Sequence, residues 1–343
     1  MIQVKAAYFL GNKTFEVREQ PTPKAQPGTV VIKNYACGVC GTDVHIYHGE
    51  SGSAEVHPPV VLGHEYAGVV AEVGAGVEDL KIGDHVTVDP NIYCGTCGAC
   101  RNGKKQLCSH MEAVGVTMDG GFAEYSVVPA AQALRLEPDV PLEYGAMSEP
   151  LACCIHGIDR AEIKVGDTVC VVGGGAIGLL IVQLARLSGA AKVVLSEPNA
   201  VRREKALQLG ADLCIDPLMD GSTEQLLEFT GGEGADIVIE CAGNHAAVES
   251  AFRFAKRGAT ILLFSVPAVS ATYAVPLFDV YQKELTIRGT FVNPDTHQRA
   301  VALINSGRIH IAPIITHTFS LEELPEAIAA QMGAEAIKVI VKA

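Results

Sequence analysis

Residues 168–185 read TVCVVGGGAIGLLIVQLA, and this uncharged stretch decides the fold of the chain around it. Its length approaches the lower limit for a membrane-spanning helix, but three successive glycines in its middle would break a lone helix. The valine-rich residues before the glycines favour a buried strand, and the leucine-rich residues after them favour a helix. The stretch therefore predicts a strand that turns directly into a buried helix.

From Gly166 onward, apolar runs of strand length alternate with helical stretches. The strand-like runs include AKVVLSE (191–197), ADIVIECAG (235–243), ATILLFSV (259–266) and ELTIRGTF (284–291). Strict alternation of strand and helix is typical of βαβ units, which build a parallel sheet with helices on both faces. We therefore predict an α/β fold for this part of the chain, with a doubly wound parallel sheet of the Rossmann type.

The glycines of the turn fit the pattern G-x-G-x-x-G that binds dinucleotides. Glycine permits the tight turn, the approach of backbone to a pyrophosphate and the packing of helix on strand. Glu197 ends the next strand, where a carboxylate would bind ribose hydroxyls and repel a 2′-phosphate, which favours NAD. Arg202 and Arg203 keep NADP as the alternative. The predicted cofactor-binding residues are Gly173, Gly175, Ala176, Ile177, Gly178, Glu197 and Arg202.

Amino-acid composition and net charge exclude some classes of protein and partner. The 343 residues are 48% hydrophobic and 19% charged, which excludes a disordered chain. The formal net charge of −13 disfavours nucleic acid and anionic membranes as partners. The first 20 residues hold no apolar run of the kind found in a signal peptide, so we expect a cytoplasmic protein.

The two ends of the chain differ from the middle in their pattern of apolar and turn-forming residues. Short valine-rich runs separated by glycine and proline in residues 28–134 predict an irregular β-rich domain. Helix-like segments near 296–306 and 321–332 precede a final strand-like run, KVIVKA. Periodicity leaves open whether this last piece packs on the first domain or extends the second.

Four of the 11 cysteines fall within 15 residues, in CGTCGACRNGKKQLC. In a cytosolic protein, such spacing indicates a metal site before disulfides. Four thiolates complete a tetrahedral zinc shell, so the metal would be structural; an iron–sulfur cluster and unpaired buried thiols are the alternatives. The predicted ligands of this zinc ion are Cys94, Cys97, Cys100 and Cys108.

A second set of metal-binding residue types lies in the first half of the chain. Cys40 stands in YACGVCGTDVHIY, His64 and Glu65 stand in VVLGHEYAG, and Glu149 stands in MSEPLACC. A catalytic zinc site uses three protein ligands of mixed sulfur, nitrogen and oxygen type and keeps one position open. These residues can supply such a set.

The chain resembles the zinc-containing medium-chain alcohol dehydrogenases along essentially its whole length. The resemblance rests on GVCGTDVH (38–45), GHEYAG (63–68), the four-cysteine segment, GGFAEY (120–125), SEPLA (148–152) and GGGAIG (173–178), in that order. It implies a β-rich, GroES-like catalytic domain of residues 1–155 and 292–343. A Rossmann dinucleotide-binding domain of residues 156–291 would be inserted between these segments, with the active site in the cleft.

The resemblance also implies roles for individual residues. Cys40 and His64 would bind the catalytic zinc, with either Glu65 or Glu149 as the carboxylate ligand. Asp43 would orient the histidine ligand, and Thr42 and His45 would form a proton relay. The chain would therefore hold two zinc ions, one catalytic and one structural. By position, the substrate-binding candidates are Tyr47, Phe291 and Asn293.

The expected reaction is hydride transfer from a secondary alcohol of a polyol or sugar alcohol to NAD. SEPLACCIHG (148–157) is similar to polyol dehydrogenases, whereas GTDVHIY (41–47) and ITHTF (315–319) are similar to threonine dehydrogenase. Sorbitol dehydrogenases carry Arg-Tyr where this chain has Val292-Asn293, which argues against sorbitol itself. The alternatives are an L-threonine 3-dehydrogenase, a 2,3-butanediol-type dehydrogenase and a catalytically silent dinucleotide-binding protein. The expected partners are a small alcohol or ketone and, by analogy, further copies of the chain in a dimer or tetramer.

Overall fold

The computed structural model describes residues 3–50 and 54–343. The chain divides into two units, of which unit 1 is Met1–Ala152 with Val292–Ala343 and unit 2 is Cys153–Phe291. The first boundary lies three residues before the predicted one, and the second coincides with the predicted one.

The first part of the chain contains mostly short strands. They and their helices are β1 Gln3–Phe9, β2 Phe15–Pro21, β3 Thr29–Gly38, α1 Gly41–Tyr47, β4 Val60–Val61, β5 Glu65–Val73, β6 His85–Val88, β7 Asn91–Ile92, α2 Gly98–Arg101, β8 Glu112–Ala113, β9 Tyr125–Pro129, β10 Ala133–Arg135, α3 Leu142–Gly145 and α4 Ser148–Ala161.

The middle of the chain alternates strands and helices, as its sequence predicts. The elements are β11 Thr168–Val172, α5 Ala176–Leu187, β12 Lys192–Ser196, α6 Ala200–Gln208, β13 Leu213–Ile215, α7 Ser222–Phe229, β14 Ala235–Glu240, α8 His245–Phe254, β15 Ala255–Leu263, α9 Leu277–Lys283 and β16 Thr286–Gly289. The C-terminal part then adds α10 His297–Asn305, β17 Ile315–Ser320, α11 Leu324–Met332 and β18 Lys338–Lys342.

The main sheet of unit 1 has the strand order β10-β6-β5-β3-β18-β17, and β9 also pairs with β3. The final strand β18 lies antiparallel to β3, with Ile340 opposite Gly38. The C-terminal piece therefore belongs to the first domain, which resolves the question that periodicity left open. Large apolar side chains such as Ile32, Tyr66 and Phe122 fill the core of this unit.

Unit 2 is built on a parallel sheet of order β13-β12-β11-β14-β15-β16. The order reverses between β11 and β14, and ligands of such sheets bind beyond the carboxyl ends of the strands at that point. The fold class is thus the predicted one, which combines a Rossmann-type parallel sheet in one unit with a β-rich domain in the other. In the part of the chain that is described, no helix is both long and apolar enough to cross a membrane.

Asp89 follows β6 in unit 1 and is largely enclosed. Burial raises the pKa of Asp89 to about 6; the bond that it accepts from the N–H of Asn91 at 3.2 Å opposes the rise, and the charge of Asp295 adds to it. An unfolded aspartate has a pKa near 3.9. Between about pH 4 and pH 6 the native chain therefore holds a proton that the unfolded chain lacks, and the stability from this group is lost as the pH rises through that window.

We predict that Asp89→Asn removes this loss of stability at higher pH. Between pH 5 and pH 8 the wild-type chain should lose about 1.4 kcal/mol of unfolding free energy through Asp89, and the variant should gain that much relative to it. Urea unfolding at the two pH values measures the difference. Asp139→Asn, which changes an exposed acid of the same unit, is the control, and an equal gain in both variants would contradict the prediction.

Candidate active site

The pairing of β3 with β5 brings the predicted metal ligands together. Gly38, at the end of β3, lies opposite Glu65, at the start of β5. Cys40 follows β3 and caps α1, and His64 directly precedes β5. One ligand atom from each of Cys40, His64 and Glu65 lies within 4.8 Å of the others. These three residues form what we call the mixed-ligand cluster.

Asp43 supports this cluster from the first turn of α1. Its side chain is fully buried; Oδ2 accepts a hydrogen bond from the backbone N–H of Cys40 at 2.8 Å, and Oδ1 lies 3.6 Å from His64 Nδ1. Burial raises the pKa of Asp43. Burial disfavours a charged His64, but the charges of Asp43 and Cys40 raise the pKa of His64 well above its ordinary value.

The mixed-ligand cluster fits a zinc ion. A sulfur, a nitrogen and an oxygen donor converge there, which is the donor set of catalytic zinc sites. Asp43 Oδ1 and His64 Nδ1 are both buried and lack a hydrogen-bond partner. A histidine that binds metal through one ring nitrogen commonly directs the other toward a carboxylate. The Asp43–His64 contact therefore leaves Nε2 as the metal-binding atom.

Lys338 is a residue of this site that the sequence analysis missed. Its ammonium group is buried, forms an ion pair with Glu65 and donates a hydrogen bond to the carbonyl of Val39 at 3.0 Å. A Cβ atom on Gly38 would lie 2.3 Å from Glu65 Oε2 and 2.8 Å from Lys338 Cε, so the pair requires glycine there. The only local signal is one lysine inside the apolar run AIKVIV, and that run does not identify its partner.

Glu149 lies in the first turn of α4 and is also buried. Its charge contributes to the raised pKa of His64, although it is not one of the three residues whose ligand atoms lie within 4.8 Å. In this structure Glu65 is the carboxylate inside the cluster and Glu149 is a neighbouring acid. The carboxylate ligand, Glu65 or Glu149, stays a prediction.

The remaining catalytic and substrate candidates lie in different surroundings. Thr42 and His45 are three residues apart on α1, and therefore on one face of it. Tyr47 stacks on Phe15 with ring centroids 5.9 Å apart. Asn293 is fully buried and its Oδ1 accepts a hydrogen bond from Asn91 at 2.5 Å, whereas Phe291 is 41% exposed.

The four cysteines of residues 94–108 converge as predicted. Their sulfur atoms all lie within 4.8 Å of one another. Cys94 Sγ accepts hydrogen bonds from the backbone N–H groups of Thr96 and Cys97 at 3.5 and 3.3 Å, and Cys108 Sγ accepts one from His110 at 3.4 Å. Such bonds favour thiolates, and bonds from the backbone N–H groups of Cys100 and Ser109 lower the pKa of Cys97 to about 5. The donor set and its geometry suit a structural zinc ion.

The glycine turn of unit 2 lies where the fold binds dinucleotides. Gly173 follows β11 with φ of 102°, which favours glycine, and a Cβ on Gly178 would lie 1.9 Å from the carbonyl oxygen of Gly173. Gly175 caps α5, and nothing lies within 4 Å of the position of a Cβ there. Ala176 and Ile177 begin α5. The turn therefore leaves an open space at the N-terminus of a helix, which suits a pyrophosphate.

Glu197 lies just beyond β12 and faces this turn. It is buried, and its two carboxylate oxygens accept hydrogen bonds from the backbone N–H groups of Gly174 and Asn199, at 2.6 and 2.8 Å. Arg203 donates to the carbonyls of Glu197 and Pro198 at 2.7 Å and pairs with Asp216 at 3.1 Å. The neighbouring Arg202, a cofactor candidate, is half-buried at the start of α6.

Comparison with known proteins identifies the family. Residues 26–138 match the family "Alcohol dehydrogenase GroES-like domain", and residues 176–306 match "Zinc-binding dehydrogenase". The chain is 36% identical to an L-threonine 3-dehydrogenase of Thermococcus kodakarensis over 89% of this chain and 87% of that protein. It is 32% identical to D-arabinitol dehydrogenase 1 of Uromyces fabae over 99% of this chain and 97% of that one.

A solved structure agrees with these relatives. A protein from Sinorhizobium meliloti, described as a zinc-binding dehydrogenase and bound to NADP, is 40% identical. It superposes with a TM-score of 0.95 over 100% of both chains. Together with the four-cysteine lobe, the mixed-ligand cluster and the glycine turn, these matches show that the chain belongs to the zinc-containing medium-chain alcohol dehydrogenase family, whose members are oxidoreductases.

Proposed function

We propose that this protein oxidises a secondary alcohol of a polyol or sugar alcohol, with NAD as the hydride acceptor. The observation that carries the proposal is the mixed-ligand cluster, backed by Asp43, in a chain that also has a dinucleotide-binding turn. The D-arabinitol relative spans nearly the whole chain, which supports a polyol substrate. Tyr47, Phe291 and Asn293 stay the candidates for substrate contacts.

The residues of the mixed-ligand cluster and of α1 have different roles in the proposed reaction. A zinc ion held by Cys40, His64 and a carboxylate would supply Lewis acidity, which makes an alcohol proton easier to remove near neutral pH. Asp43 holds the ring of His64 in orientation through Nδ1. Thr42 would accept the substrate hydroxyl proton as its own hydroxyl proton passes on toward His45, and His45, on the same face of α1, would pass a proton to solvent. With NAD as the acceptor of the carbinol hydride, the products would be a ketone, NADH and one proton.

Metal analysis and a substrate panel test this proposal. The purified chain should contain two zinc ions. Cys100→Ser removes a ligand of the structural ion, so this variant should lose that ion before the catalytic one. D-arabinitol, sorbitol, 2,3-butanediol and L-threonine are each offered with NAD⁺ or NADP⁺, and cofactor reduction is followed by absorbance. Reduction fastest with a polyol supports the proposal. Two bound zinc ions without turnover of any alcohol would instead favour the catalytically silent alternative.

L-Threonine is the second candidate substrate, because relatives at 36% identity are named L-threonine 3-dehydrogenase. Threonine carries a carboxylate and an ammonium group, whereas a polyol is neutral. In the described part of unit 1, Lys338 beside the mixed-ligand cluster is already paired with Glu65, and Asp43 and Glu149 add acidic groups there. This charge balance favours a neutral substrate. A kcat/KM for L-threonine above that for every polyol would overturn the choice.

For the cofactor we predict a preference for NAD⁺ over NADP⁺ of at least about tenfold, because Glu197 would repel a 2′-phosphate. Of the two arginines that could offset this repulsion, Arg203 is bonded to Asp216 and two carbonyls. Glu197→Gln should reduce the preference by about tenfold or more, as measured by the ratio of kcat/KM values. Glu204→Gln, an exposed acid on α6, is the control. An unchanged ratio in Glu197→Gln would contradict the prediction.

We further propose that the protein is a cytoplasmic homo-oligomer, a dimer or tetramer. Strand β16 forms an edge of the parallel sheet, and Leu277, Phe278 and Tyr281 of the preceding α9 are all at least 70% exposed. An open strand edge beside exposed apolar side chains is typical of a surface that another chain covers. Light scattering on the purified protein tests this; a monomer at micromolar concentration would refute it.

A further inference from the structure

The last turn of α1 ends in a motif that brings Glu50 back onto His45. Gly49 has φ of 85° and donates its N–H to the carbonyl of Ile46 at 2.9 Å, while Glu50 donates its N–H to the carbonyl of His45 at 2.9 Å. This pair of bonds defines the Schellman ending of a helix, in which the second residue beyond the end lies over the last turn. A glycine at position 49 is favoured because its backbone is left-handed.

The two side chains meet as a result. His45 Nδ1 lies 2.6 Å from Glu50 Oε2, with the side chains 27% and 42% exposed. An ionised carboxylate has no hydrogen to donate, so the bond places the hydrogen of a neutral His45 on Nδ1. Nε2 is then the ring atom that can accept a proton.

We propose that Glu50 is a positioning residue of the proton relay, which sets the tautomer of His45. This inference rests on the proposed function, because it extends the relay of Thr42 and His45 by one member. Glu50 touches neither substrate nor cofactor in this role. It acts only through His45, and the bonds of Gly49 and Glu50 to the last turn of α1 hold it there.

The other titratable groups around α1 are engaged elsewhere or exposed. On α1 itself, Asp43 bonds the backbone of Cys40 and faces His64. The imidazole of His48 lies 3.3 Å from Met332 Sδ. Helix α11 packs against α1 and carries one titratable side chain, Glu326, which is exposed. Among the described residues, the ion pairs place Glu50 alone in contact with His45.

Two substitutions separate the charge of Glu50 from its hydrogen bond. In Glu50→Gln the amide oxygen can still accept from Nδ1, so the tautomer with hydrogen on Nδ1 should persist. In Glu50→Ala no acceptor remains for Nδ1, and the tautomer with hydrogen on Nε2 should become populated. Glu326→Gln is the matched control and should leave the tautomer unchanged.

Nitrogen NMR of the zinc-loaded protein with labelled histidine measures the tautomer, and His45→Gln assigns the resonance. The kcat of alcohol oxidation is the second readout. Because only an Nε2 without hydrogen can accept a proton, kcat should fall in Glu50→Ala in proportion to the fraction of His45 that carries its hydrogen on Nε2, and Glu50→Gln should keep most of the activity.

The inference is overturned if His45 carries its hydrogen on Nδ1 to the same extent in wild type and Glu50→Ala. It is also overturned if Glu50→Gln shifts the tautomer as far as Glu50→Ala does. If no alcohol is oxidised at all, the proposed function fails. The NMR measurement of the tautomer does not depend on turnover, so it still decides whether Glu50 controls His45.

Discussion

The variant His64→Ala is expected to lose at least about 10³-fold in kcat while its affinity for NADH changes less than twofold. His64 supplies the nitrogen donor of the mixed-ligand cluster, and its loss leaves Cys40 and a carboxylate to hold a metal. Bound zinc should therefore fall from two ions per chain to one. Steady-state kinetics, metal analysis and NADH fluorescence titration measure the three quantities.

Gly175→Asp is the complementary variant, because it changes the cofactor site and leaves the zinc ligands intact. Gly175 has φ of −70° and open space around the position of its Cβ, so a side chain there should not strain the backbone. Its carboxylate would lie at the N-terminus of α5, where a pyrophosphate binds. Affinity for NADH should fall by about tenfold or more, and both zinc ions should remain. If Gly175→Asp lost zinc, or His64→Ala lost NADH binding, our assignment of the two sites would be wrong.

Lys338→Met is expected to destabilise the zinc-free protein by about 3–5 kcal/mol, because it leaves the buried Glu65 without its cation. Excess zinc should reduce this loss, since the metal then offers Glu65 another positive partner. Urea unfolding with and without zinc measures both effects. Lys338→Arg keeps the positive charge and should therefore lose less stability than Lys338→Met.

Two further variants make this prediction specific. Lys342→Met removes a lysine from the same strand, but Lys342 pairs with Glu143 at 2.8 Å in an exposed position, so the expected loss is below about 1 kcal/mol. The double variant Lys338→Met with Glu65→Gln should recover much of the stability that Lys338→Met loses. Equal losses for Lys338→Met and Lys342→Met, or no recovery in the double variant, would show that the buried pair does not stabilise the site.

The local features of the candidate site were predictable from the sequence. The four cysteines converge because only short turns separate them, and short turns leave few other arrangements. The glycine turn was predictable for the same reason, since a strand, a tight turn and the beginning of a helix follow one another in one continuous stretch. Cys40 and His64 could be chosen as partners only through the family resemblance, because 23 residues separate them and β3 must pair with β5 to bring them together.

Glu50 and Lys338 show two different limits of sequence reasoning. The motif HGE (48–50) is a local signal for a helix that ends at glycine, so the contact between Glu50 and His45 could have been found from helix-capping rules. The pairing of Lys338 with Glu65 could not, because they lie 273 positions apart in the chain. Their contact exists only after β18 has paired with β3.

The amino-acid sequence by itself determined the parallel-sheet unit, its glycine turn and the four-cysteine lobe. Backbone sterics and hydrogen bonding act over a few residues there, so residue type and spacing suffice. Only the tertiary structure decided that the C-terminal strand joins the first domain, that Lys338 neutralises Glu65 and that Asn293 is buried against Asn91. Those outcomes depend on the register between distant strands and on which buried charges and amides meet, and no local pattern encodes either.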